Sequence, residues 1–293
     1  MKHEMLVLFS CASLLLIPAL SAETPAERGI REAQAQVSAS PNHYPYYNAL
    51  AMAYARRAGE TSDAGFYRKA EETLEKSFAI APDNFDGMKV QTWLLLGRHE
   101  FAKALELASS LNKKRPDDVT VYGYLADANA ELGNYKQAVE AAQWMLNLRP
   151  GNLAGLTRAA YLRELFGYIG PAMEAMQMAY DATPYQETEE RARLLTRMAH
   201  LNLVAGNLPN AEMYANGALG LFPGYHYALG ALADVRTAQH RYDEAVDLFR
   251  QRYEAAPRAA NLYSLGEALM LAGRAPSPKV ACACLEYFVW IKR

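Results

Sequence analysis

The sequence predicts an all-α fold built from repeated pairs of helices, and three observations lead to that prediction. Six prolines recur at intervals of 34, 34, 34, 39 and 34 residues. They are Pro82, Pro116, Pro150, Pro184, Pro223 and Pro257. An alanine stands twelve residues before each proline, at Ala70, Ala104, Ala138, Ala172, Ala211 and Ala245. Strand signals are nearly absent, and a fixed period of this length is typical of stacked supersecondary units.

Each period divides into two helices. Apolar residues at i, i+3, i+4 and i+7 form one buried face on a first helix of about three to four turns. Gly133, Gly167 and Gly206 then predict a break, after which a second apolar-striped helix follows. The alanines mark where the two helices approach closely, and the recurring proline ends the second helix. Five tyrosines on the apolar stripe are expected in the core, namely Tyr47, Tyr67, Tyr122, Tyr135 and Tyr242.

The repeated unit resembles the tetratricopeptide repeat, a helix–turn–helix motif of 34 residues. The clearest copy is VYGYLADANAELGNYKQAVEAAQWMLNLRP at residues 121–150. Six repeats cover about residues 44–257, and residues 261–274 resemble the first helix of a seventh. The resemblance implies an all-α solenoid of about six to seven repeats, coiled as a right-handed superhelix whose first helices line a concave groove.

The N-terminus has the pattern of a secretory signal peptide over residues 1–22. Lys2 precedes an apolar run of about 15 residues, and small residues follow that run. The run is short for a membrane span. We therefore expect export to a bacterial periplasm or secretion, with an uncleaved membrane anchor as the alternative. No later segment is apolar enough to predict a membrane span.

Three further segments are expected after the signal peptide. Residues 23–43 form an N-terminal capping helix, residues 44–274 form the repeat solenoid, and residues 275–293 form a divergent C-terminal cap or a truncated repeat.

Two insertions interrupt the period. GETSDAGF at residues 59–66 lengthens the turn of the first repeat, and five extra residues around 185–193 lengthen the start of the fifth. The carboxylates beside the second insertion are Asp181, Glu189 and Glu190, and we expect them to be solvated charges at helix ends.

Composition and motifs argue against several classes of function. Lys and Arg number 30 against 32 Asp and Glu, so the chain lacks the charge excess of a protein held by nucleic-acid phosphates. The common phosphate-binding, zinc-protease and hydrolase signatures are missing. Cys282 and Cys284 would point about 200° apart on a helix, which disfavours a disulfide or a shared metal. We expect no catalysis, no cofactor and no metal.

The remaining candidate site is the concave surface of the first helices. On each first helix, some residues lie outside the buried apolar stripe and on the concave side. These residues combine aromatic and charged types that are enriched at binding hot spots. The candidates are Lys89, Trp93, Tyr124, Asp127, Arg158, Tyr161, Arg193, Arg197, His200, Tyr227 and Asp234, followed by Tyr263 and Glu267 in the partial seventh repeat. For the aromatics, packing between neighbouring first helices is an equal alternative. For the arginines, the alternative to gripping a partner carboxylate is an ion pair with Glu189 or Glu164.

The sequence therefore predicts a non-enzymatic scaffold that binds another protein, as an extended or helical segment, in the concave groove. The alternative is an envelope-assembly accessory protein that binds glycan or stabilises a larger complex, because grooves with aromatic and acidic side chains also suit sugars.

Overall fold

A computed structural model of the chain describes residues 24–61, 63–278 and 280–281. These residues form fourteen helices and no strand. Helix α1 (Pro25–Ala39) comes first. The first helices of the repeats are α2 (Tyr44–Thr61), α4 (Phe85–Gly97), α6 (Val119–Glu131), α8 (Leu153–Leu165), α10 (Thr188–Val204), α12 (His226–Ala238) and α14 (Ala259–Leu271). The second helices are α3 (Gly65–Ile80), α5 (Phe101–Lys114), α7 (Tyr135–Leu148), α9 (Ile169–Ala182), α11 (Leu208–Leu221) and α13 (Tyr242–Ala255). The predicted all-α solenoid is confirmed.

The first helices form the inner layer of the solenoid. Each helix packs against the one that follows it, as expected for stacked helix pairs. In addition, α2 packs on α4, α4 on α6, α6 on α8, and α10 on α12. Among the described residues, consecutive second helices have no comparable contacts. A stack whose first helices are closer together than its second helices curves toward the first helices, so these line the concave face.

The close approach of the two helices in each repeat is made by the recurring alanines. Ala70, Ala104, Ala138, Ala172, Ala211 and Ala245 are all 0% exposed. The prediction for the tyrosines was less accurate, because Tyr135 is 44% exposed and the other four are half-buried. The core between the helices is thus narrow, and the larger side chains lie at its edges.

The turns inside the repeats require a left-handed backbone conformation. Gly133, Gly167 and Gly206 have φ values of 78°, 80° and 75°. His99 and His240 occupy the same position in the second and sixth repeats, with φ values of 61° and 59°. Only glycine adopts this conformation without a steric cost, so the predicted helix breaks at the glycines are confirmed. The two histidines are turn residues.

Three consecutive repeats begin with a side-chain cap located two residues after the recurring proline. The side chains of Asn84, Asp118 and Asn152 each accept a hydrogen bond from the backbone N–H three residues later. This hydrogen bond satisfies an N–H group that the helix itself leaves unpaired. The proline and the cap together fix where each new repeat starts.

A buried arginine joins the fifth and sixth repeats, and its partner provides a pH-dependent prediction. Arg236, with 9% of its side chain exposed, is paired with Glu212, which also accepts a hydrogen bond from Gln239. The hydrogen bonds from Arg236 and Gln239 lower the pKa of Glu212 to about 2. The ionised carboxylate therefore stabilises the folded chain above its unfolded pKa of about 4.5, and this contribution is lost as the pH falls toward 2.

We expect Glu212→Gln to lower the free energy of unfolding at pH 7 by on the order of 1 kcal/mol. Urea titrations at several pH values should show that the difference from the wild type shrinks below pH 4.5. Asp247→Asn, which removes an exposed pair with Arg250, is the control and should have little effect. A difference that stays constant down to the lowest pH would contradict the assignment.

Candidate protein-binding groove

One position on six of the seven first helices, α4 to α14, places a side chain along the concave face. Successive members of this row, here called the groove ladder, are 34, 34, 39, 34 and 33 residues apart. They are Trp93, Asp127, Tyr161, His200, Asp234 and Glu267. None of them is fully buried. The ladder is therefore a continuous strip of accessible side chains from the second repeat to the seventh.

The aromatic end of the ladder has one accessible ring and one buried ring. Trp93 is 39% exposed, and its ring lies 6.4 Å from that of Tyr124. Tyr124 itself is only 3% exposed, and burial raises the pKa of its hydroxyl. For Tyr124 the expectation of a partner-facing side chain is wrong, because the ring packs between neighbouring first helices. The buried ring of Tyr124 packs against the indole of Trp93 on the side that faces the core.

Lys89 is held by carboxylates of its own and the next repeat. Its ammonium lies 3.0 Å from both Asp86 and Asp118. Burial alone would lower the pKa of Lys89, but hydrogen bonds to these two carboxylates outweigh that effect and raise the pKa. Lys89 is therefore charged and already neutralised, which leaves it little capacity to hold an acidic partner.

Arg158 is paired across two neighbouring first helices. Its Nε donates to Asp127 at 2.8 Å and to the carbonyl of Gly123 at 3.1 Å, and Nη2 donates to the second carboxylate oxygen of Asp127. A Cβ at position 123 would lie 3.1 Å from the guanidinium carbon, so glycine leaves room for this arrangement. This bidentate ion pair with Asp127 fixes the Arg158 side chain along the floor of the groove.

A second pairing follows one repeat later. Glu164 accepts hydrogen bonds from Arg197 at 2.5 Å and from His200 Nε2 at 2.8 Å. The bond from His200 is the largest contribution that lowers the pKa of Glu164, and Arg197 adds to it against the effect of burial. Arg193 pairs with Glu190 on its own helix at 2.5 Å. The structure thus places all three predicted arginines in internal ion pairs, with Glu190 instead of Glu189 as the partner of Arg193.

The C-terminal part of the groove contains two adjoining cavities. The smaller, of about 180 Å³, is lined by Arg197, His200, Tyr227 and Asp234 among others. The larger, of about 440 Å³, shares Asp234 and continues toward α14. Tyr227 is 39% exposed beside them. Tyr161, which precedes the cavities, has its hydroxyl 3.5 Å from Glu131. Four of the predicted residues, Arg197, His200, Tyr227 and Asp234, therefore line the smaller cavity.

Asp234 lies at the wall between the cavities. Burial between the groove walls raises the pKa of the Asp234 carboxyl to about 6, and the nearby charge of Glu267 adds to this rise. The charges of Arg252 and His200 act in the opposite direction. The Asp234 side chain remains exposed to the groove. Arg252 and His200 line the smaller cavity together with Asp234, so this carboxyl already faces cationic side chains of the groove.

The two insertions meet across the groove. Helices α2 and α10 have 18 and 17 residues, whereas the other first helices have 13. The extension of α2 is at its C-terminal end, and that of α10 is at its N-terminal end. Arg56 of α2 donates to Glu189 of α10 at 3.1 Å and lies 4.0 Å from Glu187. We call this contact between the first and fifth repeats the clasp.

The clasp corrects the expectation that Glu189 is a solvated charge. Only 16% of its side chain is exposed, and burial, followed by the nearby carboxylate of Glu60, raises its pKa. Glu60 also accepts hydrogen bonds from Thr24 Oγ1 at 2.8 Å and from the Ala26 N–H at 3.1 Å. The clasp therefore joins α1, α2 and α10, which the sequence pattern did not indicate.

Charge reversal at Arg56 should open the clasp, because Arg56→Glu would add a fourth carboxylate beside Glu60, Glu187 and Glu189. We expect the distance between spin labels at Asp63 and Gln186, measured by double electron–electron resonance, to lengthen and its distribution to broaden. Arg250→Glu, on α13, serves as the control and should leave the distance unchanged. An unchanged distance in Arg56→Glu would show that the two repeats are held together without this pair.

Several other expectations concern residues that the structure does not describe. The signal peptide at residues 1–22 and the pair Cys282 and Cys284 lie outside the described residues. Within the described ranges, no three His, Cys, Asp or Glu side chains are grouped so as to hold a metal ion. No helix in those ranges combines the length and apolar character needed to cross a membrane.

Comparisons with known proteins identify the fold. No family model and no curated protein sequence matches the chain. A chain from the crystal structure of the APC/C hetero-tetramer Cut9–Hcn1 superposes with a TM-score of 0.65 at 16% identity, over 84% of this chain and 46% of that one. This chain thus spans about half the length of that relative.

Two smaller proteins superpose over most of their own length. One is TTC0263, a thermophilic TPR protein in Thermus thermophilus, with a TM-score of 0.57 at 22% identity over 64% of this chain and 100% of that one. The other is PilW, a widely conserved type IV pilus biogenesis factor, with a TM-score of 0.56 at 16% identity over 71% and 92%. At such identities the likeness shows the fold, which is a tetratricopeptide-repeat solenoid.

Proposed function

We propose that this chain is a non-enzymatic scaffold whose concave groove binds a segment of another protein. The observation that carries the proposal is the groove ladder, a strip of accessible aromatic and polar side chains that runs along one face of six successive first helices. A preformed groove of this kind binds an extended or helical segment at little conformational cost to itself.

The distribution of charge along the groove supports a protein segment as the ligand. In the second to fifth repeats the cations are already paired, by Lys89 with Asp118, Arg158 with Asp127, and Arg197 with Glu164. These pairs keep the groove floor rigid and close to neutral. The accessible Trp93 and Tyr227 then serve as apolar anchors, the residue types that dominate binding energy at protein interfaces.

The same internal pairing argues against catalysis. A general acid or base needs a titrating group that can reach a substrate atom. Glu164, Asp127 and Glu212 are instead paired with arginines. Asp234 has a raised pKa, and the charged groups that act on its carboxyl are Arg252, His200 and Glu267. We therefore propose binding without the making or breaking of a covalent bond.

Glycan binding in an envelope assembly is the second candidate. The accessible indole of Trp93 and the neighbouring carboxylate of Asp127 on the groove ladder combine the stacking and hydrogen-bonding groups that sugars require. PilW, which shares this fold, is a type IV pilus biogenesis factor, and this supports an envelope assembly as the setting.

We also propose that the chain is exported and that residues 1–22 are removed. The basis is the apolar run that follows Lys2. The proposed boundaries of the mature chain are a capping segment at 23–43, the solenoid at 44–274 and a C-terminal cap or truncated repeat at 275–293. N-terminal sequencing of the protein recovered from its native cell distinguishes a cleaved peptide from an uncleaved anchor.

Two parallel binding experiments test the proposed function. The purified protein is used to capture partners from an envelope extract and is also applied to a glycan array. One stoichiometric protein partner whose capture is lost in Trp93→Ala would support the proposal. Array binding that is lost in the same variant, with no protein captured, would support the glycan candidate instead.

A further inference from the structure

Five consecutive first helices form a closed ring, and the clasp is the link that closes it. Polar side chains join neighbouring helices of this ring in the pairs Asn48–Asn84, Lys89–Asp118, Asp127–Arg158 and Glu164–Arg197. Arg56 and Glu189 then join the last helix, α10, back to the first, α2. The first helices line the concave face, so the N-terminal part of the groove lies inside this ring.

The clasp is weaker than the other links of the ring. Within the described residues, α2 packs along α4, whereas no extensive packing joins α2 to α10. The side chains of Arg56 and Glu187 are about half-exposed. An ion pair that water can reach stabilises a contact only slightly. The ring is therefore held shut by a few side chains, and a change in their charge is sufficient to open it.

A buried pair of carboxyl groups forms part of the clasp. Glu60 is almost fully buried, and its two oxygens accept hydrogen bonds from Thr24 Oγ1 at 2.8 Å, the Ala26 N–H at 3.1 Å and Arg57 at 2.7 Å. Its carboxyl also shares a hydrogen bond with that of Glu189. Such a bond between two carboxyl groups requires a proton. Burial, followed by the charge of Glu60, raises the pKa of Glu189 against the effect of Arg56, so the proton resides on Glu189.

Further titratable and charged groups surround the two carboxyls. They are Glu27 of α1, Arg57 of α2, Glu190 and Arg193 of α10, Glu187 at the start of α10, and Tyr225 beside α12. Arg57 and Arg193 already have carboxylate partners of their own. Ionisation of Glu189 therefore adds a negative charge that is paired with Arg56 and repelled by the neighbouring carboxylates.

One buried histidine near the clasp titrates in the opposite sense. His226 of α12 lies close to the backbone of Glu60. Burial, followed by the charges of Arg258 and Arg252, lowers the pKa of His226 to about 4. If opening exposed His226, this residue would favour the open form as the pH falls below 6.5, the ordinary pKa of histidine. The direction of a pH response therefore distinguishes His226 from Glu189.

We propose that the clasp is a gate over the N-terminal part of the groove, closed when Glu189 carries a proton and open when Glu189 is ionised. The pKa of Glu189 in the closed clasp is raised above its ordinary value of 4.5. The proton therefore stabilises the closed form fully below pH 4.5, and this contribution is lost as the pH rises through the raised value. This inference rests on the proposed function and adds the control of entry, since a partner segment enters the ring from the side only when the clasp is open.

Double electron–electron resonance between spin labels at Asp63 and Gln186 tests the gate without a partner. The labels are placed in a chain that carries Cys282→Ser and Cys284→Ser, and the pH is raised from 4.5 to mildly alkaline values. We expect a single short distance at the lowest pH. It should be replaced by a longer and broader distribution as the pH rises, and the change should level off once Glu189 is ionised.

Two neutral variants separate the buried carboxyl from its exposed neighbour. Glu189→Gln introduces an uncharged side chain that still donates a hydrogen bond to Glu60, so it should keep the short distance at every pH. Glu187→Gln removes an exposed charge of the same insertion and should respond to pH as the wild type does.

A thiol on the groove ladder tests whether the closed clasp covers the groove. At neutral pH, Tyr161→Cys should react with a maleimide attached to polyethylene glycol several-fold more slowly when it is combined with Glu189→Gln. Glu254→Cys, at an exposed position on the second helix α13, is the control and should react equally in both backgrounds. Equal rates at position 161 would show that the clasp does not restrict entry and would overturn the gate.

Three results of the distance measurement would also overturn the inference. The first is an unchanged distribution across the pH range, and the second is a response that persists in Glu189→Gln. The third is opening on acidification that is lost in His226→Gln, which would assign control to His226. These failures leave the proposed function intact, because no partner is present. A gate that moves in a chain that captures no partner contradicts the proposed function alone.

Discussion

Leu201→Ala should lower the free energy of unfolding by about 3–4 kcal/mol, the largest stability effect expected in this chain. Leu201 is 0% exposed and lies in a core cluster with Leu194 and Met198 of the same helix and with Ala228 of the next first helix. Removing its branched side chain would leave a cavity at the junction of the fifth and sixth repeats. Because the stability of a solenoid depends on contacts between adjacent repeats, unfolding of one junction should reduce cooperativity as well.

The measurement is urea denaturation followed by circular dichroism. Val204→Ala is the matched control, since Val204 lies on the same helix but is 55% exposed, and we expect its effect to be within about 0.5 kcal/mol of the wild type. If Leu201→Ala and Val204→Ala had the same effect, the packing of α10 against α12 would be assigned incorrectly.

Trp93→Ala should weaken binding of the protein partner by about 30-fold, which corresponds to about 2 kcal/mol. The indole is 39% exposed on the concave face and is supported by the buried ring of Tyr124. A rigid aromatic anchor of this kind loses little entropy on binding and buries a large apolar area. The midpoint of thermal unfolding should change little, because the exposed side of the ring does not contribute to the core.

Trp144→Ala is the matched control for this prediction. Trp144 is 51% exposed on the second helix α7, where its ring stacks on Tyr122 at 5.9 Å. Isothermal titration calorimetry with the captured partner should show wild-type affinity for Trp144→Ala. A large decrease in the unfolding midpoint of Trp93→Ala, with binding intact, would mean that Trp93 is a structural residue.

The repeat made most of the fold predictable from the sequence. The six alanines predicted at the closest helix contacts are all fully buried, and the glycines predicted to end the first helices adopt positive φ. Such features are local, because each depends on the spacing within one helix pair. The sequence also favoured turn or surface positions for His99 and His240, and both adopt positive φ at the turn position that glycine occupies in other repeats.

The groove was less predictable because pairing across repeats depends on side-chain geometry. Periodicity placed Tyr124 on the concave side, but the distance between α4 and α6 determines that its ring is buried. The clasp joins residues 133 positions apart, and no local pattern indicates such a contact.

Site-specific photo-cross-linking tests the central claim most directly. A benzophenone amino acid is placed at Tyr227 on the concave face or at Trp144 on the second-helix side, and the protein is irradiated with its partner. We predict a cross-linked product from position 227 and none from position 144, although Trp144 is the more exposed of the two, at 51% against 39%. Cross-linking from position 144 alone would place the partner on the opposite face and contradict binding in the groove.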